Sequence, residues 1–205
     1  MTLVDQIKAV QAKLGVTADG NAGPLTWGAI YARICGEGER PTSNVQRPTS
    51  NETDGPPVDA RSEGVIATLH PKVRPLARAL VTTAAAHGIT IIVTSGLRTY
   101  AEQQALFDKH NGTTRAPAGH SNHNFGLAFD VTIFRDGQPV WESPLYKSVG
   151  AMGRALGLAW GGDWQSIADE PHFELRPAWA ANLSEGQMLA KLRRRHDAQE
   201  DAFAA

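Results

Sequence analysis

Two histidines and one aspartate make the most specific chemical suggestion in this sequence. Phe125, Leu127, Phe129, Val131 and Ile133 alternate with Gly126, Ala128, Asp130, Thr132 and Phe134, the period of a strand with two distinct faces. A carboxylate on such a strand has to be hydrogen-bonded, ion-paired or bound to a metal. The neighbours of Asp130 on its own face, Gly126, Ala128 and Thr132, are small and leave room for something to approach. His123 stands seven residues earlier, in the polar stretch Gly119–Asn124. On a continuous strand that odd offset would put it on the opposite face, so His123 is expected on a loop that turns it back over Asp130. His172 follows Pro171 and opens a short His-Phe-Glu-Leu strand, with Phe173 toward the core and His172 on the other side.

Two imidazole nitrogens and one carboxylate oxygen suit Zn2+ with an open fourth position, where water becomes a nucleophile near neutral pH. Asp169, three residues before His172, is placed to act as the base. Arg98, in the turn Ser95-Gly96-Leu97-Arg98-Thr99, can stabilise a developing oxyanion. Glu174 shares a strand face with His172 and is a natural partner for its imidazole. Taken singly, each residue has a plainer explanation: a loop histidine, a salt-bridge carboxylate, an arginine paired with a nearby acid. No local His-Glu-x-x-His pair is present, so only the combination asks for a common cause.

These side chains need a scaffold, and the patterning supplies one. Val73, Leu76, Ala77, Leu80, Val81 and Ala84 form a helical stripe that ends at His87-Gly88. Ile89–Thr94 reads as a buried strand, and Thr99 with Glu102 is a capping box that opens a helix through about Lys109. Leu145, Val149, Met152 and Leu156 mark another helix, and Ser184 with Gln187 caps a last one. That last helix carries Arg193-Arg194-Arg195, expected to be a solvated, fraying face. Without a regular βαβ repeat the expected class is α+β, with a small mixed or antiparallel sheet flanked by helices. A short all-α module precedes it: Leu3, Ile7, Val10 and Leu14 at helical spacing, then a second helix from Pro24 lined by Trp27, Ile30, Tyr31 and Ile34. Between them Arg40-Pro41-Thr42-Ser43-Asn44 returns verbatim at Arg47-Pro48-Thr49-Ser50-Asn51, the composition of a tether. The expected division is therefore 1–35 helical module, 36–58 linker, 59–183 catalytic domain and 184–205 C-terminal helix and tail.

Composition narrows the function classes. The 205 residues carry 20 Lys and Arg against 21 Asp and Glu, a formal net charge of −1, so no strong basic field points to nucleic acid. One cysteine, Cys35, allows no internal disulfide and no cysteine-rich metal site, and it reads as a small buried residue. No apolar run is long enough for membrane insertion. The start lacks a basic segment followed by an apolar one, so the chain is expected to be made in the cytoplasm without a signal peptide. Nothing points beyond a monomer. His70, His87, His110 and His196 fall near helix ends and receive no catalytic role. Trp160 and Trp164 are expected in the core or in a groove wall.

Four blocks in order resemble a known family: Ser95-Gly96-Leu97-Arg98-Thr99 with Glu102-Gln103-Gln104, Ser121 through Asp130, Gly157 through Trp164, and Asp169-Glu170-Pro171-His172-Phe173-Glu174. Over roughly residues 60–177 they look like the zinc peptidases of the VanY and D-alanyl-D-alanine peptidase family. Trp160-Gly161-Gly162-Asp163-Trp164 is similar to the L-alanyl-D-glutamate endopeptidase branch, which includes phage endolysins. The resemblance implies that His123, Asp130 and His172 bind one Zn2+, that Asp169 is the catalytic acid/base, and that Arg98 binds and polarises the substrate carbonyl. Ser121 matches a serine two before the first ligand. His120, in the same loop, is either a neighbour of the site or substrate, or an exposed loop histidine. Val10–Val16 followed by Asp19, Gly20, Gly23, Thr26 and Trp27 resembles a peptidoglycan-binding domain of three short helices, of which two are visible here. The implied function is cleavage of the peptidoglycan stem peptide at L-Ala–D-Glu. The alternatives are a D-Ala-D-Ala carboxypeptidase and a non-catalytic wall-binding protein. An enzyme of this kind waits in the host cytoplasm and needs a holin or another membrane-opening protein to reach the wall.

Overall fold

The computed structural model describes residues 2–16, 18, 20, 22, 26, 56–109, 114–165 and 167–204. The chain divides into two compact units, Met1–Ser50 and Asn51–Ala205.

In the first unit, α1 spans Leu3–Leu14. Thr2 accepts from the Asp5 N–H while the Asp5 carboxylate accepts from the Thr2 N–H, a reciprocal cap that satisfies two backbone donors. Gln11 is buried on this helix. Its Nε2 donates to Thr26 Oγ1 at 2.9 Å and its Oε1 accepts from the Gly20 N–H at 2.8 Å. Gly20 and Thr26 thus meet at one glutamine side chain. Asp19, Gly23, Trp27 and the helix expected from Pro24 lie outside the described residues.

The second unit is α+β, with an antiparallel sheet flanked by helices. Its helices are α2 (Ala60–Ile66), α3 (Arg74–Ala86), α4 (Tyr100–Asp108), α5 (Leu145–Ala155) and α6 (Glu185–Asp197). Its strands are β1 (Thr90–Ser95), β2 (Ala128–Arg135), β3 (Gln138–Val140), β4 (Ala159–Trp160) and β5 (His172–Glu174). The order across the sheet is β1-β2-β5-β4, every pair antiparallel. β3 folds back in a hairpin on the far half of β2. Ile91, Val93, Phe129, Val131, Ile133 and Phe173 form one apolar face, closed by Ala77, Leu80 and Ala84 of α3 and by Tyr146 and Val149 of α5. Burying each large side chain there stabilises the fold by about 1.5–3 kcal/mol. The intervening residues of β2 and β5 face away from this core, and the site lies on that side.

Helix α2 was not evident from the sequence. It covers the edge strand, where Ser62 Oγ accepts the N–H of Val93 at 2.9 Å.

Two expectations are corrected. Strand β2 starts at Ala128, not at Phe125, because Asn122–Phe125 form a 3-10 turn. Gly126 ends that turn with φ 66°, and a Cβ there would sit 2.9 Å from the His70 backbone nitrogen, so only glycine fits. The second correction concerns Arg193–Arg195. Helix α6 does not fray; Met188, Leu189 and Leu192 pack with Leu127 and Ala180. Arg195 is buried, donates to the carbonyls of Asp201 and Ala204, and lies over the Trp179 ring. Arg193 donates to the Gly119 carbonyl at 3.0 Å, and Arg194 is exposed. Successive helical residues point about 100° apart, so three adjacent arginines cannot share one solvated face.

Candidate metal centre

Strand β2 carries Asp130 into the middle of the sheet, opposite Ser95 on one side and His172 on the other. The β1 partner register shifts between Val93 and Ser95, and this bulge brings Ser95 opposite Asp130. The 3-10 turn before β2 brings His123 over the same carboxylate. Ser121 caps that turn, its hydroxyl accepting weakly from the His123 N–H at 3.4 Å. His123, Asp130 and His172 each present a ligand atom, and these atoms all lie within 4.8 Å of one another. Asp130 Oδ1 is 3.3 Å from His123 Nε2 and 3.2 Å from His172 Nδ1.

The remaining nitrogens of both rings are occupied, which sets their tautomers. His123 Nδ1 lies 2.8 Å from the Gly96 carbonyl, an acceptor only, so this nitrogen carries the hydrogen. Its Nε2 is then the nitrogen directed at the Asp130 carboxylate and available as a ligand atom. His172 Nε2 lies 3.1 Å from Glu174 Oε2, which leaves Nδ1 directed at Asp130. Two imidazole nitrogens and one carboxylate oxygen, each oriented by a partner behind it, fit Zn2+.

The electrostatics of the metal-free chain draw positive charge to the same point. Burial alone would raise the Asp130 carboxyl, but His123 and His172 prevail and hold it well below the usual carboxylate range. Burial opposes charge on His172, yet its hydrogen bonds with Asp130 and Glu174 hold it above the ordinary imidazole value. Glu174 is lowered in spite of burial, by His172 first and also by Asn122 and Arg176.

Arg98 donates to Asp130 Oδ2 at 2.8 Å and to Ser95 Oγ at 2.7 Å through Nη2. Its backbone is tied to the ligand turn: its N–H donates to the His123 carbonyl and its own carbonyl accepts from Asn124 Nδ2.

Asp169 is held by the Trp-Gly-Gly-Asp segment. Its N–H donates to the Gly161 carbonyl at 3.0 Å, and its carbonyl accepts from the His172 N–H at 3.1 Å. A Cβ on Gly161 would lie 2.4 Å from the Asp169 carbonyl oxygen, so the close approach requires glycine. Next door, Trp160 Nε1 donates to the Glu170 carbonyl at 2.7 Å. Burial, and then the charge of Asp130, push the Asp169 carboxyl up from its ordinary value. That direction suits a group that takes a proton and returns it.

The sequence residues therefore sort by place. His123, Asp130, His172, Arg98 and Glu174 form one bonded cluster, and Asp169 lies within its electrostatic reach. Ser121 serves the turn. His120 is exposed and gives its backbone N–H to the Pro117 carbonyl. Trp160 is buried, whereas Trp164 is 42 % exposed with its ring 4.9 Å from that of His172. A hollow of about 390 Å³ under the C-terminal segment, lined by His70, Phe125, Leu192 and Arg195, contains none of the site residues. Several supports were not singled out from sequence: the hydroxyl of Ser95, the carbonyls of Gly96 and Gly161, and the amides of Asn122 and Asn124. The asparagines on either side of His123 were the available signal.

Comparison with known proteins points the same way. A family profile described as D-alanyl-D-alanine carboxypeptidase matches residues 114–175. The peptidoglycan L-alanyl-D-glutamate endopeptidase CwlK of Bacillus subtilis (strain 168) is 36% identical over 124 residues, covering 53% of this chain and 74% of that protein. The L-alanyl-D-glutamate peptidase of Listeria phage A118 is 27% identical over 118 residues, 56% of this chain and 41% of the phage protein. Among solved structures, the Serratia marcescens L-Ala D-Glu endopeptidase ChiX aligns with a TM-score of 0.48 and 29% identity, over 57% of this chain and 87% of its own. The D,D-pentapeptidase VanY from a VanB-type resistance cassette, solved with Zn(II), aligns with a TM-score of 0.44 and 23% identity, over 60% of this chain and 78% of its own.

Proposed function

The chain belongs to the D-alanyl-D-alanine carboxypeptidase and VanY family of zinc metallopeptidases, and from that premise we propose that it hydrolyses the L-Ala–D-Glu bond of the peptidoglycan stem peptide. The observation that carries the reading is the convergence of His123 Nε2, Asp130 Oδ1 and His172 Nδ1, with ligand atoms of the three residues within 4.8 Å of one another. His123, Asp130 and His172 would hold the ion. Zn2+, when bound, supplies a Lewis acid that polarises a peptide carbonyl and lets water lose a proton near neutral pH.

The chain's own residues do the rest. The Asp169 carboxylate takes a proton from the attacking water. As the C–N bond breaks, the same oxygen returns that proton to the leaving amine of D-Glu, so the group ends as it began. Arg98 lends its charge to the oxygen that becomes negative. Its bonds to Ser95 and Asp130 use Nε and Nη2, so the Nη1 hydrogens are those assigned to the substrate. Glu174 keeps His172 in the orientation that offers Nδ1.

The endopeptidase reading, rather than a carboxypeptidase one, is supported by the relatives: CwlK and the phage protein are both named for L-alanyl-D-glutamate cleavage. Residues 1–35 act in this proposal as a wall-binding module tethered by 36–58 to the catalytic domain of 59–183, with 184–205 as its C-terminal helix and tail. In full-length protein, Trp27→Ala is expected to reduce co-sedimentation with purified peptidoglycan. A holin-like protein that opens the membrane gives such an enzyme its access, as the phage relative suggests. No helix among the described residues is long and apolar enough to cross a membrane.

Mass spectrometry of digested peptidoglycan tests the bond. New N-terminal D-Glu supports the proposal; released D-Ala points to a carboxypeptidase; an undigested wall in the presence of zinc leaves binding alone.

A further inference from the structure

Behind His172 the hydrogen bonds do not stop at Glu174. Glu174 Oε2 also accepts from Asn122 Nδ2 at 2.7 Å. The same Nδ2 donates at 2.8 Å to Glu185 Oε1, on the first residue of α6. The other Glu185 oxygen pairs with Arg176 Nη1 at 2.9 Å. Arg176 in turn donates through Nε to the Ala180 carbonyl and through Nη2 to the Leu183 carbonyl, which anchors the segment leading into α6. A continuous chain therefore runs from a metal-site imidazole to the start of the C-terminal helix.

We infer that Asn122 and Glu185 are positioning residues of the metal centre, so that α6 forms part of the zinc site while contributing no ligand. The inference rests on the zinc reading given above.

The chemistry of the amide gives the reason. One –NH2 group carries two hydrogens, and here they go to two carboxylates. Glu174 and Glu185 alone would repel; the amide and the Arg176 guanidinium offset that repulsion with donors between and beside them. Asn122 is buried, and its Oδ1 is without a hydrogen-bond partner among the described residues. That orientation leaves an acceptor unpaired, and the reverse orientation would turn the oxygen toward two carboxylates. Asn122 is thus held in place by the acids it serves. Glu185 fixes the amide, the amide fixes Glu174, and Glu174 holds the His172 ring so that Nδ1 faces the ion. Outer partners of metal-bound histidines typically contribute about 10–100-fold in metal affinity.

The test measures Zn2+ affinity of the purified full-length chain by competition with a chromophoric chelator, beside zinc stoichiometry by elemental analysis. The parent should hold about one zinc; a parent that holds none overturns the zinc reading itself. Asn122→Ala is expected to weaken binding within the 10–100-fold range. Glu185→Ala, on an exposed helix start where folding tolerates change, should weaken it several-fold, whereas Glu185→Gln, which keeps an acceptor for the amide, should recover part of that loss. The double variant should bind no more weakly than Asn122→Ala alone, because the two act through one path. A merely structural role for Glu185 would lower the melting temperature of the metal-free protein without moving zinc affinity. Glu185→Ala with parental affinity, in a parent that holds one zinc, overturns the inference. So does strict additivity in the double variant. If Asn122→Ala does not fold, the two Glu185 variants decide alone.

Discussion

The two histidines of the site are held in place by different means. His123 sits in a tight turn, and its Nδ1 meets a backbone carbonyl, that of Gly96. His172 sits on a strand, and its Nε2 meets a side chain, Glu174, which is itself held by Asn122. A backbone acceptor persists whatever side chain is carried there, so long as the loop keeps its path. A carboxylate acceptor vanishes with one substitution. The His123 half of the site is therefore written into the chain's route, and the His172 half into side-chain chemistry. The same division separates the sites' other supports: Asp169 hangs on a backbone bond to Gly161, whereas Arg98 is steered by Asp130 and Ser95.

The largest expected effect removes a ligand. His123→Ala should abolish stoichiometric zinc by elemental analysis, and His172→Ala should do the same. Equal loss from both would show that the halves differ in their support and not in their need. Next comes Asp169→Asn, which should keep its zinc yet lose about 10²–10⁴ in kcat on purified peptidoglycan. Parental turnover in that variant would remove Asp169 from the mechanism. Gly161→Ala sharpens the backbone side of the comparison. The added Cβ meets the Asp169 carbonyl at 2.4 Å and must displace it, so kcat should fall by about 10²-fold with KM much less affected.

Glu174→Gln sharpens the side-chain side. It keeps the shape but removes the charge facing His172, and zinc affinity should weaken by about 10–100-fold in chelator competition. An unchanged affinity would erase the contrast between the two histidines. Ser121→Ala should do least. The 3.4 Å bond it removes is long, so thermal unfolding should register a loss below about 1 kcal/mol and zinc affinity should stay near parental.

Much of the scaffold was legible because its elements announce themselves locally. The capping boxes at Thr99 and Ser184 open α4 and α6 where expected, each satisfying backbone donors with side chains three residues apart. The stripe Ala77, Leu80, Val81 and Ala84 is the buried face of α3. The small strands were less legible. β3 and β4 are only 3 and 2 residues long, too short to display a period. Alternation also ran back past the strand's true start at Ala128 to Phe125, since hydropathy does not register the left-handed turn at Gly126. The arginine run misled for a related reason, because charge says nothing about the carbonyls that await a guanidinium.

For the site, residue type and order alone nominated His123, Asp130, His172, Asp169, Arg98 and Glu174, because a zinc centre requires these donors and a base whatever surrounds them. The chemistry available to a side chain is a property of the residue. Which oxygen stands behind which nitrogen is a property of the fold. Tertiary structure alone decided that Gly96 completes the His123 imidazole, that the bulge before Ser95 turns a hydroxyl toward Arg98, that Gly161 grips Asp169, and that Asn122 connects the site to α6. The Gly96 and Asn122 contacts join residues distant in sequence through a backbone carbonyl and an amide. Such groups are common along the chain, and only folding selects which of them meet.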